Sequence, residues 1–324
     1  MALAFQIQGA NVSVGVQKKE IYQILDRKLL YTEFADRDPS LQGKIGTTIQ
    51  FTAEFPPLGL IGGFTDVPNI PKRDPIQRAR AITVLDYGDS REYTSRYIKQ
   101  SQSFVEQALR EDLTATAARE INAAAGAAMR LTNAYYIPTG AAGAETVTMD
   151  YGAVLAANAA RPIGIWDLPQ LIQVAMQNGI PPDPRYGWAL VMHPAAAAPF
   201  MRTLQPVAQN VPEGFKQLMQ RFEAGVYLGT LFGVHLFVDN SGDVLGLTAT
   251  NAIGEAFFFG YRPLVEASVE DGLQTSTEKT DGGRKITFYV YREGCGWTLK
   301  VNDAGAGAVP PMRSSICCIL ITGG

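Results

Sequence analysis

Apolar and polar residues alternate along the chain from residue 47 onward. Ile49, Phe51, Ala53 and Phe55 occupy one set of alternate positions, and threonine, glutamine and glutamate occupy the other. Successive side chains of a β-strand point to opposite faces, so a period of two indicates a strand buried on one side. The pattern therefore predicts a half-buried strand over residues 47–55.

A second apolar segment over residues 80–87, containing Ile82, Val84 and Leu85, predicts a strand that returns beside the first. The interval between the two is crowded with proline and glycine. An irregular stretch of roughly twenty residues is uncommon inside a compact domain and is usually functional or mobile. The two strands are therefore predicted to flank a long loop.

Neither glycine nor proline interrupts the chain between Gly88 and Gly126. Apolar residues recur there at steps of three, four or seven, which is the spacing of one helix face. Thr94 or Ser95 can cap the start of this helix, and at 1.5 Å per residue it would run about 50 Å. The apolar face of this predicted spine helix consists of Ile98, Val105, Leu109, Leu113, Ala117 and Ile121.

The middle third of the chain alternates helical and strand-like segments. Helical spacing appears over residues 166–177, 194–204 and 215–222, whereas 188–192 and 231–238 are short apolar runs typical of strands. This alternation predicts an α/β unit.

The last third is rich in strand-forming residues. Strands are predicted over residues 256–261, 265–277 and 286–291, the last continuing toward Val301, with a closing strand at 316–321. Asp-Gly between the second and third of these runs is a strong hairpin signal.

Composition places the chain among soluble globular proteins, with 46% hydrophobic and 18% charged residues in a length of 324. A net charge of −3 is too balanced to indicate an obligate polyanionic partner. The N-terminus lacks the pattern of a signal peptide, and no apolar run approaches the roughly twenty residues of a membrane helix. Three cysteines without a C-x-x-C pair fit a reducing cytoplasm.

Candidate catalytic chemistry is sparse. The two histidines, His193 and His235, are expected at or within strands and lack metal-ligand spacing. Neither G-x-S-x-G nor G-x-x-x-x-G-K-[ST] is present. Asp86, Asp89 and Glu92 cluster after the loop, where charge at the start of a helix accounts for them. We therefore expect no enzyme activity, no cofactor and no metal.

The order of elements and three short sequence segments resemble those of a known protein family. The segments are Gly46-Thr47-Thr48-Ile49, Val84-Leu85-Asp86-Tyr87-Gly88 and Gly187-Trp188-Ala189-Leu190-Val191-Met192-His193-Pro194. The chain resembles the major capsid proteins of tailed bacteriophages, with the α+β Hong Kong 97-like fold, and is most similar to the short-tailed-phage branch. The resemblance covers nearly the whole chain.

The resemblance implies an organisation of five parts. These are an N-terminal arm at 1–45, an extended loop at 46–94, a peripheral domain with the spine helix at 95–140, an axial α/β domain at 141–260, and a β-return with a C-terminal strand at 261–324. It also implies that the extended loop lies on a neighbouring subunit. The residues expected to contact that neighbour are Phe55, Leu58, Leu60, Ile61, Phe64, Val67, Ile70, Lys72 and Arg73.

The function implied is assembly into pentamers and hexamers of an icosahedral head that encloses double-stranded DNA without sequence-specific binding. A separate scaffolding protein, a portal and a decoration protein are the implied partners. The implied location is the virion, after assembly in the host cytoplasm.

Alternatives remain open from the residues alone. The apolar loop residues can pack back on their own domain, since large exposed apolar patches are rare on monomers. An encapsulin-like compartment shell would have the same fold and enclose protein cargo. An α/β enzyme of unknown class is a further alternative, although no convergent catalytic set supports it.

Overall fold

The computed structural model of the chain describes residues 30–38, 48–54, 77–95, 104–132, 134–139, 146–151, 161–177, 180–184, 187–208, 227–239, 242–247, 254–269, 273–300 and 318–321. The helices within these ranges are α1 (Phe104–Met129), α2 (Asp167–Gln177) and α3 (Pro194–Ala208). A 3-10 turn, Tyr31–Phe34, precedes the first strand. The strands are β1 (Ala35–Asp38), β2 (Thr48–Glu54), β3 (Gln77–Thr83), β4 (Leu85–Thr94), β5 (Ala134–Thr139), β6 (Thr146–Tyr151), β7 (Trp188–Met192), β8 (Tyr227–Leu231), β9 (Val234–Val238), β10 (Ala256–Phe259), β11 (Leu264–Ser268), β12 (Gln274–Thr280), β13 (Lys285–Leu299) and β14 (Cys318–Ile321).

Seven strands form a mixed sheet in the order β6-β5-β14-β10-β7-β9-β8. Its central strands are buried on both faces, which explains why they are continuous apolar runs. Along β7, Leu190 and Met192 join the core on one face, whereas Ala189 and Val191 join the core on the other. The sheet therefore forms the middle layer of a three-layer unit.

The first face of this sheet is covered by α2 and α3. Leu168 and Leu171 of α2 and Ala196 and Phe200 of α3 are fully buried against Leu190 and its neighbours. Each apolar side chain of this size contributes roughly 1.5–3 kcal/mol when it is removed from water. Packing, rather than helix propensity, therefore holds both helices in place.

The second face is covered by the C-terminal half of α1 and by the 3-10 turn. Met129 and Tyr31 share one buried cluster with Phe257 of β10. Gly126 sits at the closest approach, because a Cβ atom there would lie 2.4 Å from a methyl carbon of Val244 and 2.9 Å from the Tyr31 ring. The helix can lie this close only because that position lacks a side chain.

A second sheet is organised around the long strand β13. Its first half pairs with β12 on one edge and β4 on the other, while its second half pairs with β11, which in turn pairs with β1. The middle of α1 packs on this sheet, and its C-terminal half packs on the seven-stranded sheet. One helix therefore joins the two sheets.

Strands β2 and β3 form a separate antiparallel ribbon, paired from Thr48 with Thr83 to Glu54 with Gln77. This confirms a strand on either side of a long connection, whose residues 55–76 lie outside the described ranges. The second predicted strand, 80–87, is divided between the end of β3 and the start of β4. The predicted hairpin is confirmed as well, because β12 and β13 are joined at Asp281–Gly283.

Several predicted elements differ in the structure. The segment 265–277 is divided between β11 and β12, and 231–238 includes the end of β8, a turn and β9. Strands β5 and β6 have no counterpart among the predicted elements. The closing strand β14 pairs with β5 and β10 in the seven-stranded sheet. The predicted helix at 215–222 lies in a range that the structure does not describe.

Candidate assembly surfaces and their anchors

The β2–β3 ribbon is rooted in the second sheet. Ile82 and Val84, at the base of the ribbon, are buried against Val265 and Ala267 of β11. At Gly296 of β13 a Cβ atom would lie 2.5 Å from the Thr83 carbonyl oxygen, so the glycine permits the strands to approach closely. The base of the predicted extended loop is therefore fixed to the body of the protein.

The nine loop residues predicted to contact a neighbour lie outside the described residues. They belong to the range 55–76, between the two strands of the ribbon. Arg78 and Arg80, which continue the basic stretch of Lys72 and Arg73, lie on β3 opposite Ala53 and Phe51.

The predicted face of the spine helix includes three residues whose surroundings the structure describes. Leu113 and Ala117 are buried against Phe288 and Val290 of β13, and Ile121 is also buried. Val105 and Leu109 belong to α1, but their side chains lie outside the described part, as does all of Ile98. The helix spans 26 residues, about 39 Å.

A buried ion pair lies in the sheet that carries the ribbon. Glu266 of β11 accepts a hydrogen bond from the guanidinium of Arg292, and its second oxygen accepts one of 3.3 Å from Nε1 of Trp297. The Glu266 side chain is fully buried, and that of Arg292 nearly so. A charge in such a place is tolerated because its partner and hydrogen bonds compensate for lost solvation.

A network of hydrogen bonds joins the 3-10 turn, α1 and the segment after β9. The Tyr31 hydroxyl donates to Asp239 over 2.7 Å, and the Tyr31 backbone N–H donates to Oδ1 of Asn122 over 2.8 Å. Arg130, just after α1, donates to Glu255 over 2.9 Å. Burial and the nearby Asp239 carboxylate raise the pKa of Tyr31, so its hydroxyl remains a donor.

The start of α2 is held by a buried carboxylate. Asp167 accepts two hydrogen bonds from the Arg161 guanidinium, at 2.6 and 2.7 Å, and a third from the Gly164 backbone N–H at 2.7 Å. The Tyr136 hydroxyl of β5 lies 3.4 Å from the same carboxylate. A carboxylate is also favoured at this end of a helix by the helix dipole. These contacts place the beginning of α2 over β5.

The solvent side of α2 carries no charge. Trp166, Pro169, Gln173 and Met176, at steps of three and four residues, are exposed on one side, and we call them the α2 face. The Trp166 and Met176 side chains are 49% and 64% exposed. Asp167, the single charged residue of α2, is buried in its ion pair.

The edge strand β8 of the seven-stranded sheet and the turn after it also expose side chains without charge. Tyr227, Thr230 and Phe232, exposed on β8 and the following turn, form what we call the β8 edge. Phe232 is 51% exposed, and its φ of 51° lies in the left-handed region, within the turn between β8 and β9. No Asp, Glu, Lys or Arg occurs between residues 227 and 238.

The two histidines have structural neighbours. Nδ1 of His193 accepts a hydrogen bond of 3.1 Å from the Ala195 backbone N–H, so this residue caps α3 immediately after β7. His235 lies on β9, where its ring stacks on Tyr227 and Nδ1 is 2.9 Å from the tyrosine hydroxyl oxygen. Burial lowers the pKa of His235 against the opposing effect of Asp183.

The interpretation of the carboxylates after the loop is wrong. Asp86, Asp89 and Glu92 lie on strand β4 and not at the start of a helix. Asp86 accepts a hydrogen bond of 2.7 Å from the Gly294 backbone N–H, and Glu92 pairs with Lys285 at 3.0 Å. Asp86 and Glu92 therefore link β4 to β13, whereas Asp89 accepts a hydrogen bond of 2.8 Å from the Ser90 backbone N–H on its own strand.

Within the part of the chain that the structure describes, no cluster of three His, Cys, Asp or Glu residues could hold a metal ion. The same ranges contain no helix that is long and apolar enough to cross a membrane.

The α2 face and the β8 edge were not among the predicted contact residues. Their signal in the sequence is the lack of charge, since residues 168–177 and 227–238 contain no charged side chain. The sequence alone does not show which side of α2 is exposed. The structure does, because it shows which side packs on the seven-stranded sheet.

The sequence and the fold of the chain were compared with those of known proteins. No protein-family model matches the chain, and no curated protein matches it in sequence. Solved capsid structures match it over nearly its whole length, so the chain has the fold of phage capsid proteins. The mixed α+β architecture agrees with that fold.

Three solved structures illustrate this likeness. The capsid of Ralstonia phage GP4 aligns with a TM-score of 0.64 and 13% identity over 99% of this chain and 97% of that one. The capsid of cyanophage Pam1 aligns at 0.62 and 13% over 99% and 98%. The head of Helicobacter pylori bacteriophage KHP40 aligns at 0.61 and 12% over the full length of both chains.

Proposed function

We propose that this chain is a major capsid protein of a tailed bacteriophage, which assembles into pentamers and hexamers of an icosahedral head around double-stranded DNA. The observation that carries the proposal is the likeness of fold to phage capsids from end to end of both chains. The proposed role is structural and places the protein in the virion.

The proposal extends to the Hong Kong 97-like division of the chain. We assign residues 1–45 to the arm, 46–94 to the extended loop, 95–140 to the peripheral domain, 141–260 to the axial domain and 261–324 to the β-return. The support is the packing of α1 on both sheets, which joins them in one subunit. A separate scaffolding protein and a portal are the partners that this role requires.

We assign the predicted contact residues of the extended loop to an intersubunit contact. The support is the ribbon itself, whose base is buried against β11 while its two strands pair chiefly with each other. Replacing residues 56–75 by a two-residue Asn-Gly turn preserves the pairing of β2 with β3. We expect this variant to keep the circular dichroism of the full chain and to form no shells. Shells of normal size from this variant would refute the loop assignment.

The function is tested by expressing the chain alone and together with a candidate scaffolding protein, followed by negative-stain electron microscopy. Closed shells, or rings of five and six subunits, are the expected products. A monodisperse monomer under every condition would overturn the proposal. Shells that consistently contain a co-purifying protein cargo and no DNA-packaging partner would instead support the encapsulin-like alternative.

A further inference from the structure

We propose that the α2 face and the β8 edge are the two halves of one head-to-tail contact between adjacent copies of this chain. The inference rests on the proposed shell-forming function and names surfaces on the seven-stranded sheet that would join subunits within a ring. Neither surface belongs to the extended loop.

The residue types of the two surfaces are those of interface cores. Tryptophan, methionine, tyrosine and phenylalanine are enriched at the centres of protein interfaces, and charged residues are depleted there. Trp166 and Met176 represent these types on the α2 face, and Tyr227 and Phe232 on the β8 edge. Helix α1 differs, because its solvent side carries Glu111 and other charged residues, as expected of a surface that remains in water.

None of the residues that define the two surfaces is charged, and this restricts the kind of partner surface that can cover them. A charged partner surface would lose its hydration on contact without gaining an opposite charge, which is unfavourable. A neutral, aromatic partner has no such cost. The α2 face and the β8 edge meet this requirement for each other, so a second copy of the chain supplies a matching surface.

The positions of the two surfaces favour a head-to-tail arrangement. Trp166 precedes Asp167, whose carboxylate lies beside Tyr136 of β5, whereas Phe232 follows β8. Between β5 and β8 the sheet contains β14, β10, β7 and β9, so five interstrand steps of about 4.8 Å separate β5 from β8 by roughly 24 Å. Trp166, beside the start of α2 near β5, therefore lies too far from Phe232 to contact it within one chain.

A contact between two unlike surfaces of the same chain is heterologous. Repetition of that contact closes into a ring when the rotation between subunits is right, whereas a two-fold contact uses the same patch on both subunits and ends at a dimer. The arrangement therefore predicts rings in which the α2 face of each subunit meets the β8 edge of the next.

Crosslinking between engineered cysteines distinguishes these arrangements. Trp166→Cys and Phe232→Cys are introduced singly and together, and assembled material is treated with a bismaleimide shorter than the separation within one chain. The parent chain, in which Cys295 and Cys318 are buried, provides the background. We expect the double variant to give a ladder of crosslinked species that ends at the ring size, and the single variants to remain at background.

The alternative results have distinct meanings. A crosslinked dimer of either single variant would indicate a two-fold contact and overturn the inference. Shells of the double variant that give no ladder would also overturn it while leaving the proposed function intact. Failure of the parent chain to assemble under every condition would overturn both.

A second measurement uses charge instead of crosslinking. Met176→Lys and Phe232→Asp each place a charge in the proposed contact, and Leu247→Lys is a matched control because Leu247 is 55% exposed outside both surfaces. We expect the first two variants to keep the thermal midpoint of the parent and to lose at least tenfold in shell yield, and the control to assemble normally. Parent-like yields from Met176→Lys and Phe232→Asp would refute the contact.

Discussion

The hydroxyl of Tyr31 donates a hydrogen bond of 2.7 Å to the carboxylate of Asp239, which lies 208 positions later in the chain. The bond is buried and connects the 3-10 turn before β1 with the end of β9. It therefore fastens the beginning of the described chain to the seven-stranded sheet.

Replacement of Tyr31 by phenylalanine should lower the free energy of unfolding by about 1.5–3 kcal/mol, because a buried hydrogen bond to a charged group is lost. The measurement is urea unfolding at neutral pH. Tyr289→Phe is the matched control, since its hydroxyl donates to Glu278 on the exposed surface at 3.0 Å. Equal losses in the two variants would contradict the importance of burial.

The buried pair of Glu266 and Arg292 gives a second prediction. Glu266→Gln leaves the guanidinium buried without its counter-charge and should cost about 3 kcal/mol or more. Glu92→Gln, in the half-exposed pair with Lys285, should cost less than about 1 kcal/mol. The double variant Glu266→Leu with Arg292→Met should recover much of the loss, and failure to do so in urea unfolding would show that the pair has a further role.

The face of α1 can be tested at Leu113, which is 1% exposed. Leu113→Asp would bury an unpaired carboxylate against Phe288 and Val290 of β13, so we expect loss of the folded state. Ala115→Asp, two positions along on the exposed side of the helix, should change the thermal midpoint little. Thermal melting followed by circular dichroism measures both, and an unchanged midpoint for Leu113→Asp would refute this packing.

Gly126 provides a prediction that opposes helix propensity. Alanine is favoured over glycine inside a helix by about 1 kcal/mol, yet its Cβ would lie 2.4 Å from a Val244 methyl. Gly126→Ala should therefore be destabilising, by about 1–3 kcal/mol. Adding Val244→Ala should relieve part of the clash, so the effects of the two changes in chemical unfolding should be non-additive. A stabilising Gly126→Ala would contradict the close contact.

We expect the free energy of unfolding to decrease at alkaline pH because of the thiol of Cys295. Burial raises the pKa of Cys295 from its ordinary value near 9 to about 11. Between these values the unfolded chain releases the proton while the folded chain retains it, so the contribution to stability present below pH 9 is lost as the pH rises. The loss is at most about 1.4 kcal/mol per pH unit. Cys295→Ala should flatten the stability curve between pH 9 and 11, and parallel curves for parent and variant would contradict this.

The spacing of apolar residues and turn residues along the chain predicted some elements without knowledge of the tertiary structure. Residues 188–192 form β7 as predicted, because a strand covered on both faces needs an unbroken apolar run. The Asp-Gly turn between β12 and β13 is likewise a local signal, since a short hairpin turn requires positive φ angles. The long apolar period before Gly126 was sufficient to predict a helix in the region of α1.

Long-range pairing decided the rest. Strand β4 contains Gly88, Asp89 and Ser90, which do not favour a strand, and it forms because β13 supplies its hydrogen bonds across about two hundred positions of sequence. Strand β5 contains Pro138 and pairs with β14 near the end of the chain. The local spacing of apolar residues does not predict these strand pairings.

The sequence by itself determined the α+β class, the strands on either side of residues 55–76 and a helix in the region of α1, because each depends on the spacing of neighbouring side chains. Only the tertiary structure decided which strands share a sheet, that Glu266 and Arg292 meet in its interior, and that the α2 face and the β8 edge are exposed. These relationships depend on contacts between residues far apart in the chain, for which the order of residues provides no local signal.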